Sequence, residues 1–501
     1  MNTQLYPLQI WLSRIDKRLY AILLGVTLGI IGGGVGLLVS LGGPIIAVAA
    51  LAGAFIGLYV LTDLRIALYS ILGIMIMLPF ATLPFSIGFK PSFLDLTLYA
   101  FLFVYICLWM TGRRRGFQIT PVHGLIALYV MWLIFAFVLG WRFGMPNATI
   151  GRRFVMALVS ISLTFILGDL LRDARTLRRI VWVVTVFIGA QAMLAIVLWA
   201  MPDATADSLL IRLGRLGYPE ASAIRYVESN PELGERAIGT WVDPNALGGL
   251  LAIGAAMLAP QLFASSPVLR PRWLTWGVMG VTVLALILTS SRASLLAFAV
   301  GLFIIILARY RRYLVPLIVA GMLMTLLPPA QRYIDRIFQA FRGEDLATQM
   351  RVGEWTDALE LISQYPLTGI GFTGTPNNTL YTDVANMYLI MANQIGLTGV
   401  ALFLLAMGGV FVYGYKAWQI AKHDPDFDAI LLGYHAALLT ALVNAVADLY
   451  FFRLDFQASI TWFWLTVTLA LASARLVMAE KEKRGVTLRL ADPIKIQQSA
   501  P

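Results

Sequence analysis

The sequence predicts an all-α fold, a polytopic membrane helical bundle of about 12–14 spans. Of its 501 residues, 59% are hydrophobic and only 13% are charged, and the mean hydropathy is +0.78. Soluble domains carry about 45–50% apolar and about 25% charged residues, so this composition excludes a soluble globular enzyme. The apolar residues also fall into repeated stretches of the length that a spanning helix needs.

About fourteen such stretches can be traced along the chain. They lie near residues 20–41, 44–62, 66–84, 93–111, 122–140, 154–171, 180–201, 244–264, 273–289, 293–309, 313–329, 386–412, 428–448 and 457–478. Pro79 and Pro84 interrupt residues 66–92, so about twelve or thirteen spans are the alternative. The first stretch is too long for a signal peptide and lacks a small-residue cleavage site, so we expect a retained span.

The distribution of lysine and arginine predicts the orientation of the spans. With the N-terminus in the cytoplasm, most of the 38 basic residues fall in connections on the inner side, as the positive-inside rule requires. The net charge of +11 therefore indicates topology and not a nucleic-acid partner. We expect both termini in the cytoplasm.

The spans and their connections divide the chain into six segments. We expect N-terminal spans in residues 1–201, an outer loop in 202–243, spans in 244–329, a large outer loop in 330–385, C-terminal spans in 386–478 and a cytoplasmic tail in 479–501. The large loop is predicted to contain a short amphipathic helix, because Arg351, Trp355 and Leu359 recur there at helical spacing.

Several arginines on the predicted outer side depart from the positive-inside pattern and need a reason. They are Arg142, Arg152, Arg153, Arg236, Arg292 and Arg351. Arginine is suited to bidentate binding of phosphate oxygens. Snorkelling or a local ion pair is the alternative for each of them. Arg292 lies in a very short turn between two apolar stretches, so we expect its side chain at the mouth of the bundle.

The sequence predicts neither a cofactor nor a metal site. The outer connections have no Asp-x-Asp pair, and the acidic residues at 424–428 suit the start of a helix on the inner side. Cys107 is the single cysteine. The chain contains no phosphate loop, dinucleotide fingerprint or zinc motif.

Four segments, in order, resemble the O-antigen ligase and polymerase superfamily of bacterial envelope glycosyltransferases. The four are residues 236–245, Ser290-Ser291-Arg292-Ala293-Ser294, residues 351–371 with Gly369-Ile370-Gly371 at their end, and Asn386-Met387-Tyr388-Leu389 followed by Gly396 and Gly399. Each motif is too short to identify a family alone. The order of the four motifs, with the large loop before the fourth, is the feature that is specific to this superfamily. Together they cover roughly residues 236–412.

The resemblance implies a membrane-embedded, inverting glycosyltransferase of the bacterial inner membrane. Such enzymes take a glycan from undecaprenyl diphosphate at the outer face and transfer it to a glycan or lipid acceptor. A ligase uses lipid A core as the acceptor, and a polymerase uses another lipid-linked unit. The number of spans slightly favours a polymerase. The expected partners are the lipid-linked donor, the acceptor and membrane lipids.

The resemblance also implies roles for individual residues. Arg236 and Arg292 match the family arginines that would hold the diphosphate. The expected substrate-binding residues are Arg351, Trp355, Asn386, Tyr388, Asn245, Arg152 and Arg153.

The fourth motif departs from the family pattern at one position. The family commonly has a histidine before the asparagine, and here that position is Ala385. Asp383 is the predicted replacement as catalytic base, and a helix N-cap is the alternative for it. Tyr388 or Asp448 could also supply polarity. The three histidines of the chain all fall in the predicted inner half or the cytoplasm.

Two other functions remain open at this point. The first is a membrane transporter of a small solute, against which the two halves show no pair of broken helices at corresponding positions. The second is a catalytically inactive family member in an envelope glycan assembly, for which Ala385 is the only support.

Overall fold

The computed structural model describes residues 64–83, 89–112, 118–219, 223–326, 331, 342, 346–373, 383–421 and 427–490. The chain divides into two compact units, residues 1–67 and 68–501. The first unit lies almost entirely outside the described residues, as do the predicted spans 20–41 and 44–62 and residue His423. All contacts reported below lie within the second unit.

The described residues form an all-α structure. Its helices are α1 Leu64–Met77, α2 Phe93–Met110, α3 Pro121–Leu139, α4 Ala148–Leu170, α5 Ala174–Ala200, α6 Asp203–Arg212, α7 Pro244–Leu258, α8 Arg272–Leu288, α9 Arg292–Arg309, α10 Leu314–Thr325, α11 Leu346–Gln364, α12 Met387–Ala421, α13 Asp428–Asn444 and α14 Gln457–Leu490. Two short strands, β1 Arg225–Tyr226 and β2 Glu235–Arg236, pair antiparallel between α6 and α7.

Eight of the described helices are long and apolar enough to cross a membrane. They are α2, α3, α4, α5, α7, α9, α12 and α14, and the shorter apolar helices α1, α8 and α13 accompany them. The predicted fold class, an all-α polytopic membrane bundle, is confirmed. The six-segment division and the side of the membrane that each connection faces stay predictions.

The core of the bundle is built around α7 and α14. α7 packs against α8, α9 and α13, and α14 packs against α4, α12 and α13. The glycines of α7 permit this close packing. A Cβ at Gly248 would lie 2.7 Å from the Ser294 Oγ of α9, and one at Gly249 would lie 3.2 Å from the Asn444 Nδ2 of α13. Small residues at these positions therefore let three helices meet at one level.

Helix α12 is kinked at Gly396, where the loop that follows α11 crosses it. Gly396 has φ +71° and ψ 171°. The kink frees backbone groups that bond to the crossing loop: the Leu397 N–H donates to the Pro366 carbonyl at 2.7 Å, and the Ile370 N–H donates to the Asn393 carbonyl at 2.8 Å. Gly369 of the third sequence motif and Gly396 of the fourth therefore lie in one interlocked contact.

The predicted helix of the large loop is present as α11, and it packs on α12. The residues that it buries are Ala358 and Leu361. Trp355 and Leu359, which define its predicted apolar stripe, are 38% and 59% exposed. Glu354 ties α11 to the start of α12, because its carboxylate accepts a hydrogen bond from the Ala385 N–H at 3.0 Å.

Candidate functional site

The β2 strand and the turn between α8 and α9 meet at one end of the bundle. The Ala237 N–H donates to the Leu288 carbonyl at 2.9 Å. The Arg236 guanidinium donates from Nε to the Thr289 carbonyl at 2.8 Å and from Nη2 to the Asn245 Oδ1 at 2.6 Å. Arg236 thus joins the end of α8 to the first turn of α7.

A cavity of about 310 Å³ opens beside this junction. We call it the arginine cavity, because four arginines from separate segments line it: Arg225, Arg236, Arg292 and Arg351. Asp243, Asn245, Ser290, Ser291 and Glu228 complete most of its polar wall. Its volume lies at the lower end of the range for small-molecule sites. Four guanidinium groups around a space of this size favour an anionic ligand with several oxygen atoms.

Two helix N-termini also border the arginine cavity. Arg292 is the first residue of α9, whose N-cap is Ser291. Pro244 and Asn245 are the first residues of α7 and line the same cavity. A helix N-terminus carries a partial positive charge and attracts anions. The backbone therefore adds to the positive field of the arginines.

Carboxylates lie in and behind the wall of the arginine cavity. The Asp243 Oδ1 accepts from the Asn245 N–H at 2.8 Å and from the Ala246 N–H at 2.9 Å, and thereby caps α7. Asp448, in the loop between α13 and α14, is only 3% exposed. Burial raises the pKa of Asp448 to about 7, against the opposing effect of the nearby Arg351 guanidinium.

Tyr450 of the same loop completes this group. It is 9% exposed, and its hydroxyl interacts with the side chains of Asp243 and Asn245. Burial raises the pKa of the Tyr450 hydroxyl well above its ordinary value, and the charges of Asp243 and Asp448 add to this shift. The phenol therefore stays neutral and serves as a hydrogen-bond donor.

Four of the residues predicted for the site thus come together at the arginine cavity. They are Arg236, Asn245, Arg292 and Arg351. The others are not among the described residues that line it. Asp383 lies 3.0 Å from Arg453 in an ion pair. Arg152 pairs with Asp95, and Arg153 pairs with Asp455. Their predicted roles stay predictions.

Asn386 and Tyr388 hold the start of α12 in place. The Asn386 Oδ1 accepts from the Tyr388 N–H at 2.9 Å and from the Leu389 N–H at 3.1 Å, which makes Asn386 the N-cap of α12 in place of Asp383. The Tyr388 hydroxyl donates to the Leu442 carbonyl of α13 at 2.8 Å. Trp355 is on the surface of α11.

The two described histidines have structural contacts away from the arginine cavity. The His123 ring bonds with the Thr120 hydroxyl and the Thr164 carbonyl, between α3 and α4. The His435 ring bonds with the Leu431 carbonyl within α13. Neither is among the described residues that line the arginine cavity.

Three residues of this region were not predicted from the sequence: Arg225 and Asp243, which line the cavity, and Tyr450, which interacts with Asp243. Arg225 reaches the cavity because it pairs with Arg236 in the register of β1 and β2. Strands of two residues leave no periodic signal in the sequence. Asp243 directly precedes Pro244, a combination that is typical of a helix start and could have directed attention to it.

The structure defines a polytopic helical membrane protein with an arginine-lined cavity at one end of its bundle. Residues 277–404 match the family model described as O-antigen ligase. The match runs from within α8 to within α12 and includes the second, third and fourth motifs. It confirms the resemblance to the O-antigen ligase and polymerase superfamily. The chain is accordingly a multi-pass membrane protein that is similar to O-antigen ligases over residues 277–404.

Other comparisons add little to this assignment. No protein of curated function matches the chain significantly. A chain from the solved structure described as "Structural coordination of polymerization and crosslinking by a peptidoglycan synthase complex" is 18% identical, with a TM-score of 0.37. The similarity covers 71% of this chain and 97% of that one. A TM-score of this size supports no conclusion about shared structure or function.

Among the described residues, no group of three or more histidine, cysteine, aspartate or glutamate side chains could hold a metal ion. The acidic segment 424–428 is described only from residue 427 onward.

Proposed function

We propose that the protein is an inverting glycosyltransferase that acts on undecaprenyl-diphosphate-linked glycan at the outer face of the inner membrane. It transfers the glycan to a second lipid-linked unit or to a lipid acceptor and so builds surface polysaccharide. The observation that carries this proposal is the convergence of Arg225, Arg236, Arg292 and Arg351 on one cavity.

The charge of the arginine cavity suits the leaving group of such a reaction. When the bond between the sugar C1 and the phosphate oxygen breaks, the diphosphate gains a negative charge. Preorganised donors that meet developing charge are often the largest catalytic contribution. Arg236 is held in place by Thr289 and Asn245, so its guanidinium needs little reorganisation.

The position of α11 supports an acceptor-binding role for the large loop. Arg351 extends from α11 to the arginine cavity, while Glu354, one turn later, is bonded to the backbone at Ala385. The loop helix thus borders the place where the diphosphate would lie. An acceptor glycan that docks against α11 would have its hydroxyl close to the sugar being transferred.

The decisive experiment compares Arg292→Ala with Arg311→Ala in a deletion strain. Arg311 follows the opposite end of the same helix and is exposed, so its removal is a matched loss of charge. We expect Arg292→Ala to abolish long glycan chains and to leave short lipid-linked units, as seen by gel electrophoresis. Arg311→Ala should retain long chains.

The same gel separates polymerase from ligase. Loss of chain length on the lipid carrier indicates polymerisation, whereas long carrier-linked chains that never reach their final acceptor indicate ligation. Normal glycan in the deletion strain itself would contradict the proposal. Solute uptake would then be the function to measure.

A further inference from the structure

Glycosyl transfer to a hydroxyl group requires a proton acceptor. In the proposed reaction the acceptor oxygen forms a bond to C1, the C1–O bond to phosphate breaks, and the diphosphate leaves with the electron pair. The hydroxyl proton must pass to a base. A general base typically contributes about 10²–10⁴-fold to the rate. With Ala385 at the position of the family histidine, another side chain must fill this role.

We infer that Asp448, which lies behind the wall of the arginine cavity, is the catalytic base. It accepts the proton of the acceptor hydroxyl. This inference rests on the proposed function and adds a residue to it. It assigns the role to Asp448 in place of Asp383.

The comparison of nearby carboxylates favours Asp448. Asp383 is 41% exposed and is neutralised by Arg453 at 3.0 Å. Asp243 is occupied by two backbone N–H groups and by the Tyr450 hydroxyl. Asp448, by contrast, has a fully buried Oδ2 with no hydrogen-bond donor among the described residues. A buried oxygen without a donor is costly, and an incoming hydroxyl would satisfy it.

Asp448 is not itself among the described residues that line the arginine cavity, but the charges that act on it are. The charged groups that act on it are Arg351 of α11, Asp243 at the start of α7, and Arg236 of β2, and all three line the cavity. Asn444 at the end of α13 acts on the Asp448 carboxyl as well and lowers its pKa. The backbone also holds this residue, because the Met387 N–H donates to the Asp448 carbonyl at 3.0 Å.

This environment gives Asp448 a proton affinity suited to the reaction. Burial and the charge of Asp243 raise its pKa, the two arginines lower it, and the result is a pKa of about 7. An ideal base has a pKa near the operating pH. As the diphosphate leaves, the added negative charge in the cavity favours protonation of Asp448 further. Proton acceptance and bond cleavage therefore assist each other.

The sign of the pH dependence follows from this role. Only the ionised carboxylate can accept a proton, so the transfer rate should fall as the pH drops below about 7 and should level off above it. The diphosphate of a bound donor raises the pKa of Asp448, so the midpoint with substrate should be higher than in the free protein.

The test uses the full chain with Asp448→Asn and Asp448→Glu, and with Asp383→Asn as the variant of the competing carboxylate. Binding of inorganic pyrophosphate to purified protein in lipid nanodiscs is measured by calorimetry. Glycan transfer is followed from about pH 5 to about pH 9 in right-side-out membrane vesicles that contain the endogenous lipid-linked donor.

We expect Asp448→Asn to lower the transfer rate by about 10²–10⁴-fold. It should bind pyrophosphate at least as tightly as the wild type, because a negative charge is removed from beside the site. Asp448→Glu should keep part of the rate, with a displaced acidic limb (the fall in rate at low pH). Asp383→Asn should leave the position of the acidic limb unchanged, whatever its effect on the rate itself. A structural role alone would not displace the pH profile.

A wild-type rate in Asp448→Asn, or loss of the acidic limb in Asp383→Asn, would overturn the inference. If Asp448→Asn does not fold, Asp448→Glu decides, since an unchanged acidic limb would then exclude Asp448. Failure of the proposed function looks different: the wild type would not bind pyrophosphate, or Arg292→Ala would bind it equally well.

Discussion

Arg236 shows how one side chain can fix the geometry of the arginine cavity. Its Nε donates to the Thr289 carbonyl just after α8, and its Nη2 donates to the Asn245 Oδ1 at the start of α7. Arg236 also lines the arginine cavity. The planar, rigid fork of arginine makes this division of contacts available, whereas lysine presents a single flexible point charge.

Arg236→Lys should therefore weaken anion binding although the charge is retained. We expect roughly a tenfold or greater loss of pyrophosphate affinity, the scale of one hydrogen bond to a charged group. Calorimetry in nanodiscs measures this loss. Arg212→Lys, at an exposed position in α6, is the control and should bind normally. Equal affinity in both variants would mean that Arg236 serves only as a point charge.

At the scale of elements, the contact between the loop that follows α11 and the kink of α12 positions the large loop. Gly396 has a backbone conformation that is accessible essentially only to glycine. A Cβ at this position would also overlap the backbone of Leu367. The kink and the crossing loop therefore depend on each other, and both depend on the absence of a side chain at residue 396.

Gly396→Ala should destabilise the protein by about 1–3 kcal/mol from backbone strain, with steric overlap in addition. Thermal unfolding of the detergent-solubilised protein measures this effect. Gly408→Ala is a matched control in the same helix, because a Cβ there would meet nothing within 4 Å. The control should be neutral or stabilising by up to about 1 kcal/mol. Similar melting temperatures for the two variants would argue against the interlock.

At the scale of the whole molecule, the cavity lies at one end of a bundle whose orientation was predicted from basic residues alone. The segments at that end include the α8–α9 turn, α11 and the loop that carries Asp448. The positive-inside rule assigns all of them to the outer side. An enzyme that uses a flipped, lipid-linked glycan needs its site on that side.

Cysteine labelling tests this orientation. Ser363→Cys on α11 and Lys416→Cys near the end of α12, each in a Cys107→Ser background, are both at exposed positions. We expect a membrane-impermeant thiol reagent to label residue 363 in spheroplasts, and residue 416 only after permeabilisation. Labelling in the opposite order would invert the topology and place the arginine cavity in the cytoplasm.

The sequence by itself determined the membrane fold and several of the residues that line the arginine cavity. Long apolar stretches must become helices in lipid, because every backbone N–H and carbonyl there needs an internal partner. Arginines that violate the positive-inside pattern need a local reason, and this identified Arg236, Arg292 and Arg351 without any knowledge of distance.

Only the tertiary structure decided which polar groups act together. Arg225 reaches the cavity through a two-residue strand, and Asp383 is taken up by an ion pair with Arg453. Asp448 becomes distinctive only because folding buries it among charges from three other segments. The proton affinity of a carboxyl group depends on burial and on neighbours that are distant in sequence, and residue order does not contain those distances.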